Sequence, residues 1–270
     1  MIRLILLCLL VAGMARAEDR RPSHCIALAD AGGLAYLHKA SFRDPLEANH
    51  VRLSYIAHAS FLIQTDDGVS AVTDYTGFIG NTDLIPDVVT MNHAHETHYT
   101  DAPDPAIRHV LEGWGQGRGP ADHHLDLGSL LVRNVPTDIR RGGDAVEAHG
   151  NSIFVFEAAG LCIAHLGHLH HEPTPAQYAA LGRMDVVMAA VDGTLTLDLP
   201  SMIRVLQKMK ARIVIPMHWF QGWTLDAFLE GMSRDYEIVR DGASEIAVSL
   251  RTLPERPTIH VLRPRFLRDP

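Results

Sequence analysis

His93, His95 and His98 stand together in Met91-Asn92-His93-Ala94-His95-Glu96-Thr97-His98, directly after the apolar run at 87–91. Imidazole is the commonest metal-ligating side chain, and a loop that follows a strand is a good place for ligands to converge. His93 and His95 are two residues apart, so in an extended segment they leave on the same face. His98 rejoins them only if the chain turns. Three nitrogen donors on one short loop suit Zn²⁺ or a similar borderline ion.

The chain carries 17 histidines among 270 residues, and others fall at the ends of expected strands. His165, His168, His170 and His171 follow the apolar run 161–164, His218 ends the run 213–217, and Asp74 ends 69–73. Polar groups at several strand C-termini are what an α/β active site requires. No strand end or motif supports a role for His24, His38, His50, His123, His124 or His260.

The elements that must position these groups are mostly strands. Short alternating or apolar runs predict strands over 51–57, 61–65, 69–74, 87–91, 106–111, 130–135, 152–157, 161–165, 184–191, 212–218, 236–240, 245–250 and 258–262. Asp66-Asp67-Gly68 reads as a hairpin turn. Helices are expected over 175–181, with Thr174 as N-cap, over 199–210, with Pro200 at the start, and over 225–232. The glycine-rich stretch 113–120 lacks the Lys-Ser/Thr ending of a phosphate-binding loop and reads as a rim loop. Residues 51–270 form one domain of two packed halves. Residues 18–50 form an N-terminal extension with a helical patch near 27–39.

The first seventeen residues have the composition of a secretory signal: Arg3, an apolar run from Leu4 to Met14, then Ala15-Arg16-Ala17. That run is too short to span a bilayer. The expected mature chain starts at Glu18 and is periplasmic or secreted, with no membrane insertion after cleavage. Loss of residues 1–17 removes Arg3 and Arg16 and no acid, taking the formal charge from −8 to −10. An acidic chain without a basic run argues against nucleic-acid and anionic-lipid partners. Cys25 and Cys162 remain after cleavage; they either pair in an oxidising compartment or stay apart, with Cys162 a small buried hydrophobe.

The order of Tyr55-Ile56-Ala57-His58-Ala59-Ser60-Phe61, Thr73-Asp74, the His93–His98 segment, Gly150-Asn151-Ser152, His165-Leu166-Gly167-His168 and Pro216-Met217-His218 resembles the metallo-β-lactamase-fold superfamily. Within it, the chain is most similar to the Zn-dependent hydrolases that include L-ascorbate-6-phosphate lactonase relatives. The resemblance implies a four-layer αββα sandwich with metal at one edge of the two sheets, and hydrolysis of a small ester, lactone or phosphoester by a metal-bound hydroxide. It also implies His93, His95, His98, His168 and His218 as the metal ligands.

Two departures bear on the metal. The family's second motif carries an Asp where this chain has Thr97, and its bridging Asp is replaced by His168. A further family histidine, upstream of Asn151, has only Asp138 and His149 as counterparts. An imidazole offers one lone pair and no charge, so it cannot bridge two cations as a carboxylate does. One tightly bound ion, most simply Zn²⁺ or another transition metal, is therefore expected, or two in an altered arrangement with a weak second ion. Asp74 is expected to orient the histidine loop by hydrogen bonds. The leaving group's proton is expected from Glu96, His170 or His171. His58 either lines the pocket or caps a strand turn. The competing expectation is a metal-binding or sensing protein that keeps the fold without hydrolysis.

Overall fold

The computed structural model describes residues 20–26, 41–115, 119–142, 145–220 and 222–269. The expected signal segment and the helical patch near 27–39 lie outside these residues. In chain order the strands are β1 (Val51–Ala57), β2 (Ser60–Thr65), β3 (Ser70–Val72), β4 (Gly80–Asn81), β5 (Val88–Met91), β6 (His109–Glu112), β7 (His124–Asp126), β8 (Leu130–Arg140), β9 (Val146–Ala158), β10 (Leu161–His165), β11 (Val186–Ala190), β12 (Ile213–Met217), β13 (Glu237–Val239), β14 (Glu245–Val248), β15 (Thr258–His260) and β16 (Leu267–Arg268). The helices are α1 (Pro175–Leu181), α2 (Leu199–Met209) and α3 (Gly222–Met232).

One sheet has six strands in the order β14-β1-β2-β3-β5-β6, and the second has eight in the order β13-β15-β12-β11-β10-β9-β8-β7. β16 pairs with β4 apart from both. The sheets stack through Leu53, Phe61 and Ile63 from one and Phe154, Phe156, Ile163, Met188 and Ile215 from the other, all essentially inaccessible to water. The outer face of the eight-stranded sheet packs against the three helices through Leu181, Met202, Val205, Leu206, Phe228 and Met232. Among the described residues the outer face of the six-stranded sheet is covered by irregular chain and by β16, with Phe42, Tyr75, Ile79, Ile107 and Leu267 as the apolar contacts.

Local chemistry sets most of these elements. Gly68, at φ 93°, supplies the left-handed turn between β2 and β3. Thr174 and Gln177 cap α1 reciprocally, and Asp198 caps α2 through Ser201 N–H. β8 and β9 run longer than their apolar cores suggest, to eleven and thirteen residues. The cause is their mutual antiparallel pairing, which continues past a register shift between Thr137 and Ile139 to Arg140↔Val146. α3 starts at Gly222, three residues earlier than its apolar run.

Cys25 and Cys162 form a disulfide. It ties the N-terminal segment to β10 across 137 positions. The chain-entropy model assigns closure of a loop that long about 5 kcal/mol of stabilisation. The same segment docks through Ser23 Oγ, which donates to Glu157 Oε1 at 2.5 Å, and through His24 N–H, which donates to Glu157 Oε2 at 3.1 Å. Glu157 in turn accepts from Arg133 Nε at 2.7 Å, and Arg133 reaches the Ala180 and Leu181 carbonyls at the end of α1.

Parallel pairing decides where the chemistry lies. β3, β5 and β6 run parallel in the first sheet, and β10, β11, β12 and β15 run parallel in the second. The residues that follow β3, β5, β10, β11 and β12 therefore emerge along one shared edge.

Candidate metal centre

Asp74 follows β3, the His93–His98 loop follows β5, His168 follows β10, Asp192 follows β11 and His218 follows β12. The turn between β1 and β2 adds His58. The imidazole rings form one contiguous group. Ring centroids lie 4.6 Å apart for His98 and His168, 5.2 Å for His98 and His218, and 5.6 Å for His93 and His168. His95 is 5.9 Å from His168 and 6.1 Å from His98. His93, His98, His168 and His218 are buried, whereas His95 is exposed.

The Nδ1 atom of each ring is engaged. His93 Nδ1–H donates to the Gly150 carbonyl at 2.6 Å, His98 Nδ1–H to Asp74 Oδ2 at 2.6 Å, and His218 Nδ1–H to Asp192 Oδ2 at 2.8 Å. His95 Nδ1 lies 3.1 Å from Thr97 Oγ1. An acceptor on Nδ1 fixes the proton there and leaves the Nε2 lone pair free, the arrangement second-shell partners give to metal-ligating histidines. His98 Nε2 and His168 Nδ1 approach to 2.9 Å. With the His98 proton held on Nδ1, His168 donates to Nε2; a shared proton between two imidazoles marks a position that a cation can take. These donors fit a borderline divalent ion.

The electrostatics agree with a set of neutral imidazoles. Burial, then the neighbouring imidazoles, pushes His98 down to about 2, and burial with His98 and His170 does the same to His168, also about 2. Burial lowers His93 as well. Complete burial raises Asp74 to about 6, against the opposing pull of His165 and the Asn92 N–H. Burial also works against the Asp192 anion, but His218, the Thr196 hydroxyl and the Thr194 and Thr196 N–H groups outweigh it and hold Asp192 well below the usual carboxylate range.

The backbone is strained at three of these positions. His58, Asp74 and His218 have φ of 52°, 42° and 57°. Non-glycine residues rarely adopt this left-handed region, and such residues concentrate at functional sites. Asn92 ties the two sheets together beside the cluster. Its N–H donates to Asp74 Oδ1 at 2.9 Å, and its Nδ2 donates to the Ser152 carbonyl at 2.8 Å and lies 3.2 Å from His165 Nδ1.

Not every expected residue joins the group. Glu96 is exposed on the turn between His95 and His98 and has no hydrogen-bond or ion-pair partner among the described residues, so the structure gives it no link to the cluster. His171 is also exposed. His170 is brought in: it is buried, 4.8 Å from His168 between ring centroids. His170 Nδ1 accepts from Arg140 N–H at 2.9 Å, which places its proton on Nε2, a buried atom without a partner. His165 points away from the cluster's donors, with Nε2–H on the Ala59 carbonyl at 2.7 Å. His149 and Asp138, 3.9 Å apart, sit half-exposed. Asp192 was the residue sequence reasoning missed. Its signal was a carboxylate directly after the run 184–191, the position Asp74 holds after β3.

Comparison with known proteins agrees with this edge-of-sheet arrangement. A family model described as a beta-lactamase superfamily domain matches residues 52–218. A UPF0173 metal-dependent hydrolase of Methanosphaerula palustris is 25% identical over 204 residues, which cover 68% of this chain and 92% of that protein. Among solved structures, one described as a Zn-dependent hydrolase of the metallo-β-lactamase superfamily from Thermotoga maritima superposes with a TM-score of 0.57 at 24% identity, covering 78% of this chain and 98% of that one. Igni18, a metallo hydrolase from Ignicoccus hospitalis, gives 0.51 at 17% identity, covering 68% and 91%. The matched span runs from the second residue of β1 to His218 and takes in every histidine of the cluster, so the chain belongs to the beta-lactamase superfamily.

Proposed function

We propose that this hydrolase is exported, holds one tightly bound transition metal among His93, His95, His98, His168 and His218, and cleaves a small ester, lactone or phosphoester. The observation that carries the metal reading is the set of Nδ1 protons held outward by Gly150, Asp74 and Asp192, which turns three Nε2 lone pairs inward. Zn²⁺ is the ion such nitrogen donors suit best. When bound, such an ion would polarise a carbonyl or phosphoryl oxygen and lower the pKa of a bound water toward ~7.

The chain's own groups supply the rest. Asp74 and Asp192 keep His98 and His218 in one tautomer. The His170 Nε2 proton, buried beside His168, is positioned to reach a leaving group. Phe220 is 59% exposed, and its ring lies 5.0 Å from His218 and 5.4 Å from His58, which gives the mouth an apolar wall suited to a small organic substrate. Export is supported by the composition of residues 1–17 and by the Cys25–Cys162 disulfide, a bond that persists in oxidising compartments. The absence of a carboxylate at positions 97 and 168 favours the second reading, a metal-binding or sensing protein without turnover.

Elemental analysis of protein purified without added metal is expected to give close to one equivalent, reduced in His93→Ala, and the intact mass of exported protein is expected to start at Glu18. Two tightly held ions would defeat the stoichiometry. Metal without hydrolysis of generic ester or phosphodiester substrates would favour the sensing reading. Residues 1–17 still attached would refute export.

His168 gives a separate check. His168→Asp restores a bidentate anion and is expected to raise affinity for a second divalent ion. His168→Ala is expected to weaken the first. Equal metal binding in wild type and both variants would place His168 outside the centre.

A further inference from the structure

His58 is the least explained polar group at this edge. Its ring lies 4.2 Å from that of His218 and 5.1 Å from that of His98 between centroids. One ring nitrogen from each of His58, His98 and His218 falls within 4.8 Å of the other two. His58 Nε2 is buried and has no hydrogen-bond partner. A buried polar atom left unpaired loses its hydration without compensation and calls for a reason.

The backbone holds the ring there. The His58 carbonyl accepts from the His218 N–H at 3.0 Å and from the Tyr55 hydroxyl at 2.6 Å. The β1–β2 turn of one sheet is thereby fastened to the end of β12 in the other, with both histidines in left-handed conformation. A turn that only had to reverse the chain would accept glycine or asparagine at φ 52° more readily than histidine. Thr97 is exposed and spent on His95.

We propose that His58 is a metal ligand, forming with His98 and His218 an all-nitrogen position for a divalent transition ion. The proposal rests on the metal-binding reading above and deepens it. It extends the site from the histidine loop to the seam between the two sheets, and it adds a residue from outside that loop. Asp74 and Asp192 already hold the other two ligands of this triad from behind.

Co²⁺ titration followed by visible absorption tests it without reference to turnover. His58→Asn and His58→Gly both suit the left-handed backbone, so the apo proteins are expected to melt within a few degrees of wild type. Both are expected to bind Co²⁺ at least about tenfold more weakly, with an altered d–d band as a nitrogen ligand is lost. His124→Ala, in β7 and outside the cluster, is expected to leave that band unchanged. In histidine-labelled wild type, the His58 Nε2 resonance is expected to shift on Zn²⁺ addition, a readout that needs no variant. Affinity and spectrum unchanged in both His58 variants, or an unshifted His58 nitrogen while wild type binds metal, overturns the assignment and leaves the metal reading standing. Wild type that binds neither ion overturns both.

Discussion

Asp74→Asn is expected to lower Zn²⁺ affinity by roughly 10–100-fold while the protein still folds. Asp74 is fully buried and accepts two hydrogen bonds, from His98 Nδ1 and from the Asn92 N–H. The two donors sit on different carboxylate oxygens, and an amide puts an oxygen at one of those positions and an NH₂ donor at the other, so one of the two acceptors is lost. If the oxygen stays on the Asn92 N–H, the NH₂ faces His98 Nδ1. His98 then has to move its proton to Nε2 to accept, and the lone pair offered to metal is lost. If the oxygen turns to His98, the Asn92 N–H is left facing a donor, at about 1–3 kcal/mol. The first outcome weakens metal binding and the second weakens the fold. A competition titration with a chromophoric chelator, run beside a thermal melt, separates them. Asp192→Asn provides a parallel case at His218, and wild-type affinity in both variants would show that these carboxylates do not orient the ligands.

Gly167→Ala is expected to destabilise the protein by roughly 3–5 kcal/mol and to displace His168. Gly167 has φ 59°, and a Cβ there would sit 2.0 Å from Asn92 Nδ2 and 2.6 Å from its Cγ. Asn92 has little freedom to retreat, because it bridges Ser152, His165 and Asp74. The left-handed backbone costs an alanine on the order of 1–2 kcal/mol, and each hydrogen bond broken by moving Asn92 adds to that. Urea unfolding at neutral pH measures the loss. A change of less than about 1 kcal/mol would mean that the loop after β10 gives way more easily than its contacts indicate.

These two residues also mark how far the sequence could be read. The histidine loop was legible because its candidate ligands are local: three donors on six residues after an apolar run need no knowledge of the rest of the chain. Strands β1, β2, β5 and β10 and helices α1 and α2 were legible for the same reason, through alternation, Asp66-Asp67-Gly68, the Thr174–Gln177 cap and Pro200. The Leu-Gly-His run at 166–168 was visible as a motif. The need for glycine inside it was not, because the atom it makes room for belongs to Asn92 on another strand.

What the sequence alone determined was the family resemblance and the types and approximate positions of the candidate ligands, since both rest on short-range order. Only the tertiary structure decided which nitrogen of each ring faces inward, because that depends on acceptors from distant segments: Gly150 for His93, Asp74 for His98, Asp192 for His218. It also decided that Glu96 stays in solvent, that Cys25 meets Cys162, and that His58 meets His218 across the two sheets. Pairing of strands and stacking of sheets set those distances, and neither leaves a local mark in the chain.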